Sequence, residues 1–213
     1  MVFITNTIKF KGYEYDGDLI NNKPNGFGIL YYKNKKCKYI GFWKDGKKNG
    51  EGTMYYNDGR LKIKCNWIDN RPNGLVIYYD FEGNRYEYQC NFGIMNQGKC
   101  CYTDSSFYIG SFKKNLKHGF GRLYNSKGAL MFEGNFKNNL KDGYGKMFYS
   151  CSHGGLMFDG NFRNDKFNGS GVLFLPNGAI FKDQFKDNRL VNKIIKIKIY
   201  IFKDLFIFFY KYG

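Results

Sequence analysis

Two histidines, six cysteines, five Gly-x-Gly pairs and a large excess of lysine are the residues of this chain with chemistry to offer. A histidine acting as a general base needs a nucleophile or a carboxylate fixed within hydrogen-bond reach. His118 stands where other copies of the same short motif carry Asn or Asp, and His153 sits in the turn-like stretch CSHGG, so neither is predicted to be catalytic. The cysteines fall at 37, 65, 90, 100, 101 and 151 with no C-x-x-C among them, whereas a zinc site needs clustered ligands at short regular spacing; no metal site is expected. Cys100 and Cys101 read as small buried apolar side chains rather than nucleophiles. The Gly-x-Gly pairs lack the third glycine and the following helix of a nucleotide-binding loop, and strand-like residues follow them instead. No catalytic residue, cofactor or small-molecule substrate is therefore predicted.

The charge points outward, to partners. The formal net charge is +16 with a pI near 9.5, which favours nucleic acid, an acidic lipid surface or an acidic protein. No recognised nucleic-acid motif accompanies the charge, and nucleic acid is not expected as a partner. The opening MVFITNTIKF lacks the basic and long apolar segments of a secretory signal, so reduced thiols and a cytoplasmic location are expected. The apolar stretch near the end is interrupted by Lys203 and Asp204, and the run LFIFFY that follows them is too short to span a bilayer.

What positions these residues is repetition, which has to be sought before any other pattern. MFEGNF at 131 to 136 returns as MFDGNF at 157 to 162. An aromatic-x-Gly-x-aromatic core begins at 15, 39, 108, 132 and 158, and weaker copies, IKCNW, YQCNF and FKDQF, begin at 63, 88 and 181. The starts are separated by 24, 24, 25, 20, 24, 26 and 23 residues, and a Gly-x-Gly element keeps the same beat as NGFG, NGEG, HGFG, DGYG and NGSG, with NGLV and QGKC as degraded versions. With 27 Gly, 19 Tyr and 22 Phe, the composition itself leans to strands joined by turns.

Alternate residues of a strand share a face. Phe132, Gly134 and Phe136 therefore point one way, and the large residue two places after each Gly-x-Gly pair shares the glycines' face: Leu30, Met54, Tyr78, Tyr102, Leu123, Met147 and Leu173. The prediction is hairpin after hairpin, in which bare glycines make room for the rings of a neighbouring strand. The repeat aromatics are Tyr15, Tyr39, Trp43, Trp67, Phe92, Tyr108, Phe112, Phe132, Phe136, Phe158, Phe162 and Phe185. Polar loops such as KDGKKN and KNNLKD separate the two strands of a unit, and turns such as NDGR and PNG join the units.

The unit YIGFWKDGKKNGEGTMYYNDGR resembles the MORN repeat, the membrane occupation and recognition nexus motif, over about residues 13 to 188. Cys65 and Cys90 in place of the first Gly, Val76 and Cys100 in place of the second Gly of the pair, and Asp183 in the last copy depart from it. The resemblance implies an all-β fold, an elongated twisted single sheet of consecutive antiparallel hairpins. Seven MORN-like repeats and the start of a degenerate eighth occupy 13–188, a lead-in strand or cap occupies 1–12, and 189–213 form a hydrophobic, basic cap or tail in which Ile195, Ile197, Ile199 and Ile201 alternate like a capping strand.

It also implies a non-enzymatic scaffold for protein–protein assembly, with other proteins and a second copy as partners, at a membrane-associated cytoskeleton. The alternatives it carries are a module that binds anionic phospholipid, phosphoinositides included, or the regulatory repeat half of a phosphatidylphosphate kinase or a SET-type methyltransferase. Stacked hairpins that are marginal alone gain stability from neighbours and leave ends for a partner, which agrees with a scaffold. The loop cations Lys23, Lys44, Lys47, Lys48, Arg71, Lys113, Lys114, Lys117, Lys137, Lys141, Arg163 and Lys166 would form one basic strip if every loop emerges on one edge. Lys47, Lys48, Lys113, Lys114, Lys117, Lys137, Lys141, Arg163 and Lys166 are the candidate lipid- or anion-binding residues, each contributing roughly 1 kcal/mol beside an acidic membrane.

Overall fold

A computed structural model describes residues 7–10, 12–150 and 155–191. It contains 17 strands: β1 (Thr7–Phe10), β2 (Tyr13–Ile20), β3 (Lys23–Tyr31), β4 (Cys37–Lys44), β5 (Lys47–Tyr55), β6 (Leu61–Ile68), β7 (Arg71–Tyr79), β8 (Arg85–Asn91), β9 (Ile94–Cys101), β10 (Phe107–Lys113), β11 (Leu116–Tyr124), β12 (Leu130–Lys137), β13 (Leu140–Phe148), β14 (Leu156–Arg163), β15 (Lys166–Phe174), β16 (Ile180–Lys186) and β17 (Arg189–Leu190). Each pairs antiparallel with its neighbours in sequence, so one open sheet runs the length of the described chain. His153, Cys151 and the alternating isoleucines near the end lie outside the described residues.

Two kinds of turn alternate. Within each unit the polar loop contracts to two residues, both at positive φ: Asn21-Asn22, Asp45-Gly46, Asp69-Asn70, Phe92-Gly93, Lys114-Asn115, Asn138-Asn139, Asn164-Asp165 and Asp187-Asn188. This is the primed turn whose twist suits a hairpin, and Asn, Asp and Gly tolerate its left-handed backbone. The turns also bond along the edge: the second turn residue donates its amide to the carbonyl one unit back (Asn139 to Lys117, Asp165 to Lys141), and its side chain accepts that residue's amide at 2.8 and 2.9 Å. Where the upstream residue is Pro24 or Pro72, which have no amide to offer, the turn residue is Gly46 or Gly93. Between units the turn carries a left-handed residue in third place, as at Lys35, Gly59, Gly83, Ser105, Gly128 and Gly178.

The core is a file of rings on one face. Tyr15, Tyr39, Tyr108, Phe132 and Phe158 are 0% exposed. Each lies over a glycine of the following strand: a Cβ built on Gly28, Gly52 or Gly121 would stand 2.1 to 2.2 Å from the tyrosine hydroxyl, and one on Gly145 or Gly171 would stand 2.5 or 2.3 Å from the phenylalanine Cζ. Tyr15, whose own unit carries Leu19, meets Trp43 of the next unit at 5.4 Å, and the others meet the second ring of their own unit and of the next edge-to-face. Tyr39 touches Trp43 and Trp67 at 5.0 and 5.8 Å, Tyr108 touches Phe112 and Phe136 at 5.1 Å, and Phe132 touches Phe136 and Phe162 at 5.1 Å. That is the geometry aromatic quadrupoles favour.

The two glycines of each pair do different work. The second carries the ring; the first (Gly26, Gly50, Gly74, Gly119, Gly143, Gly169) has φ between +76° and +106° and sits in a bulge of the hairpin. Sequence reading treated both as packing devices, and the structure makes the first a backbone requirement.

The fourth unit corrects its predicted register. Tyr86, not Tyr88, pairs with Tyr78 and Cys100, as Tyr39 pairs with Leu30 and Met54. Tyr88 therefore occupies the glycine slot opposite Gly98, and Cys90 the second aromatic slot opposite Gly74. Phe92 is not a repeat aromatic: it is the first residue of the turn, with φ +48° and 51% exposure. Likewise Gly98 is the second glycine of its pair, and Cys100 rather than Tyr102 is the residue two places on. The physical reason is a smaller bulge in β8–β9, with Asn96 alone unpaired where Asn49, Gly50 and Glu51 face Phe42 in β4–β5. The buried residues accordingly form two clusters, Tyr15 to Cys90 and Cys100 to Phe185, with Tyr88 packed against both.

Candidate functional site

The cations sort by strand parity. Lys48, Lys117 and Lys141 pair directly with Trp43, Phe112 and Phe136, which places them on the ring face. Lys48 Nζ lies 4.5 Å from the centre of the Trp67 ring and 5.5 Å from that of Tyr39; Lys117 Nζ lies 5.5 to 5.7 Å from Tyr102, Tyr108 and Phe136; Lys141 Nζ lies 5.6 Å from Phe132. Burial pulls the ammonium pKa of Lys48 and Lys117 down from its ordinary value, because a desolvated cation is disfavoured. These three lysines cap rings, a cation–π role, and they do not belong to a basic strip.

Their neighbours do. The last residue before and the first after each two-residue turn pair with one another on the opposite face: Ile20–Lys23, Lys44–Lys47, Ile68–Arg71, Asn91–Ile94, Lys113–Leu116, Lys137–Leu140, Arg163–Lys166 and Lys186–Arg189. The row holds ten basic and five aliphatic residues, and Ile20, Ile94, Leu116 and Leu140 are 57, 65, 37 and 40% exposed. Lys114 stands in the turn itself. Part of the charge is balanced across adjacent turns, with Lys47 3.4 Å from Asp69 and Lys166 3.6 Å from Asp187. Lys113, Lys137 and Arg163 form no ion pair among the described residues. Such a row offers lysine and arginine together with exposed aliphatic carbon along one edge. Eight of its ten cations are legible as loop residues in the sequence; Lys186, Arg189 and the five aliphatic members are not. The readable signal was adjacency, since every member sits beside a ring-face slot.

The other reactive types lead elsewhere. Burial pushes the Cys65 thiol up to about 12 and the Cys100 thiol up to about 11, which disfavours the nucleophilic thiolate. His118 Nδ1 is shut off from solvent without a hydrogen-bond partner among the described residues. Among the described residues, no three His, Cys, Asp or Glu side chains are grouped to hold a metal ion, and no helix is long and apolar enough to cross a membrane.

A family model described as MORN repeat matches residues 15–36, 39–59, 108–129, 132–150 and 158–180, together about half of the chain. The stretch it leaves between 59 and 108 carries β6 to β9, where the glycine slots hold Cys65, Val76 and Tyr88. No curated protein matches the chain.

Proposed function

The chain belongs to the MORN-repeat family, and on that premise we propose that it is a non-enzymatic scaffold that assembles proteins at a membrane-associated cytoskeleton in the cytoplasm. The observation that carries this reading is continuity. Antiparallel hairpins follow one another from β1 to β17, so the described chain is one continuous sheet with repeating side-chain rows. Other proteins and a second copy of the chain are its expected occupants. The test is to use the purified chain as bait in extract of its own cells and to assay it for turnover. Stoichiometric protein partners that are lost when exposed sheet residues are replaced support the reading; turnover of a substrate without stable partners contradicts it.

The turn edge favours a second reading, contact with an anionic lipid surface. Ten basic and five aliphatic residues in one row would give both charge attraction and shallow apolar insertion. Liposome sedimentation with and without phosphoinositides tests it. Reversing Lys113, Lys137 and Arg163 is expected to abolish sedimentation. Replacing Lys48 and Lys117 by Met, which alters only the ring face, leaves it unchanged. Equal sedimentation of wild type and the triple reversal removes lipid contact from the account.

A further inference from the structure

The face opposite the rings carries two central rows, and they can be followed strand by strand. In one, the facing pairs at successive unit junctions are Ile29–Ile40, Thr53–Lys64, Ile77–Glu87, Lys99–Ile109, Arg122–Glu133, Lys146–Asp159 and Val172–Lys182. In the other they are Phe27–Phe42, Glu51–Asn66, Leu75–Gln89, Gln97–Ser111, Phe120–Asn135, Tyr144–Asn161 and Ser170–Gln184. Among the described residues only the β3–β4 junction is apolar on both strands in both rows.

That concentration is not needed by the hairpin. Asn135 and Asn161, at the position of Phe42, donate their side-chain amides to the carbonyls of Tyr144 and Ser170 across the bulge, a bond Phe42 cannot make. Phe27 and Phe42 instead pack on one another at 5.5 Å and remain 46 and 47% exposed. Beside them on β2 stand two carboxylates. Asp18 accepts the Phe27 amide at 2.9 Å, and Asp16, paired with Ile29, has one oxygen shut off from solvent with no hydrogen-bond partner among the described residues. Among the described residues neither forms an ion pair, whereas at the same row of the C-terminal half Arg122 meets Glu133 at 3.1 Å and Lys146 meets Asp159 at 3.9 Å. In a chain of net charge +16 this is an apolar island with an acidic margin on β2, bounded at the turn edge by Lys23 and Lys44.

We infer that the outer face of β2–β4 is a docking surface for a segment of a partner protein that carries aliphatic side chains flanked by lysine or arginine. Phe27, Ile29, Ile40 and Phe42 would take the aliphatic groups, and Asp16 and Asp18 the cations. Aromatic anchors at the centre with charge at the margin are the arrangement in which few residues carry most of the binding. The inference rests on the scaffold reading only in expecting a protein as occupant, and it uses side chains of β2–β4 that the lipid variants leave unchanged.

The test is fluorescence anisotropy of the full chain with a labelled short peptide of alternating lysine and isoleucine, against a glutamate–isoleucine control. Phe42→Asn is the central variant, because Asn already occupies that position in three other hairpins, at Asn66, Asn135 and Asn161, and the fold is expected to accept it. It should weaken binding by about tenfold or more, the loss of one aromatic anchor. Asp16→Asn with Asp18→Asn should weaken it several-fold and remove most of its salt dependence. Phe120→Ser with Tyr144→Ser, equally exposed on the C-terminal half, should leave it unchanged. Failure of the peptide to bind wild type, or equal losses in the Phe42 and the Phe120–Tyr144 variants, overturns the inference.

Discussion

Hairpins β12–β13 and β14–β15 keep the ring and both facing glycines, whereas β6–β7 has lost ring and glycines alike and β8–β9 keeps the ring with one glycine. Phe132 covers Gly134 and Gly145, and Phe158 covers Gly160 and Gly171. At the matching places β6–β7 has Ile63 over Cys65 and Val76, and β8–β9 has Tyr86 with Tyr88 filling one glycine slot. In β6–β7 the ring and the glycines are lost together. A side chain without a ring does not reach across the neighbouring strand, so a Cβ can be tolerated there. Gly74 persists in β6–β7 although its partner has become Val76, because the bulge at φ +76° needs glycine whether or not a ring is present. The glycine pair is two requirements, one of packing and one of backbone, and this chain separates them.

The largest effect that sharpens this contrast is expected from Phe158→Ala. Phe158 is 0% exposed and meets Phe162, Phe167 and Phe185, so truncation should cost about 4 kcal/mol in urea unfolding. Ile63→Ala, in the hairpin without the ring, should cost about 2–3 kcal/mol. Equal costs would break the comparison.

Alkali comes next. Burial pushes the Tyr15 and Tyr108 phenols up to about 12, so both stay protonated in the fold while the unfolded chain ionises near the ordinary value of 10.0. Their contribution is full below that value and is lost as pH rises toward the folded one. Lys48 and Lys117 act oppositely, since their depressed pKa relieves a penalty as pH approaches 10.5, but the raised tyrosines are more numerous. Unfolding midpoints should fall between pH 9 and pH 11, about a unit either side of the free phenol pKa, and Tyr108→Phe should fall less. An identical decline in the variant contradicts the assignment. The smallest effect belongs to Phe92→Ala, expected within about 0.5 kcal/mol of wild type because the ring stands in solvent at a turn.

Much of the fold was legible in the sequence because two elements repeat in phase and strand parity assigns their faces. The fourth unit was misread for a definite reason. Alignment on YQCNF gave spacings of 25 and 20, whereas the register of Tyr86 gives 23 and 22, and the uneven pair was itself the signal of a bulge with fewer residues. The basic row was half legible. Counting loop lysines put Lys47 with Lys48 and Lys113 with Lys117, yet the primed turn is only two residues long, so the flanking lysines are strand residues and alternate in face. Phe42 and the acidic margin beside it gave no sequence signal, because they stand out only when facing pairs are compared across the sheet.

The double-mutant cycle between Phe132 and Gly145 tests the central claim most directly. Gly145 has no positive φ, so a Cβ there is opposed chiefly by the Phe132 ring, with Cζ at 2.5 Å and Cε2 at 2.7 Å, and less closely by the Glu133 carbonyl oxygen at 3.0 Å. Gly145→Ala is expected to cost about 2–3 kcal/mol with Phe132 in place, and to be neutral or slightly stabilising when Phe132→Leu is also present. Costs that add to within about 0.5 kcal/mol would contradict the account, since the glycine would then not be there for the ring.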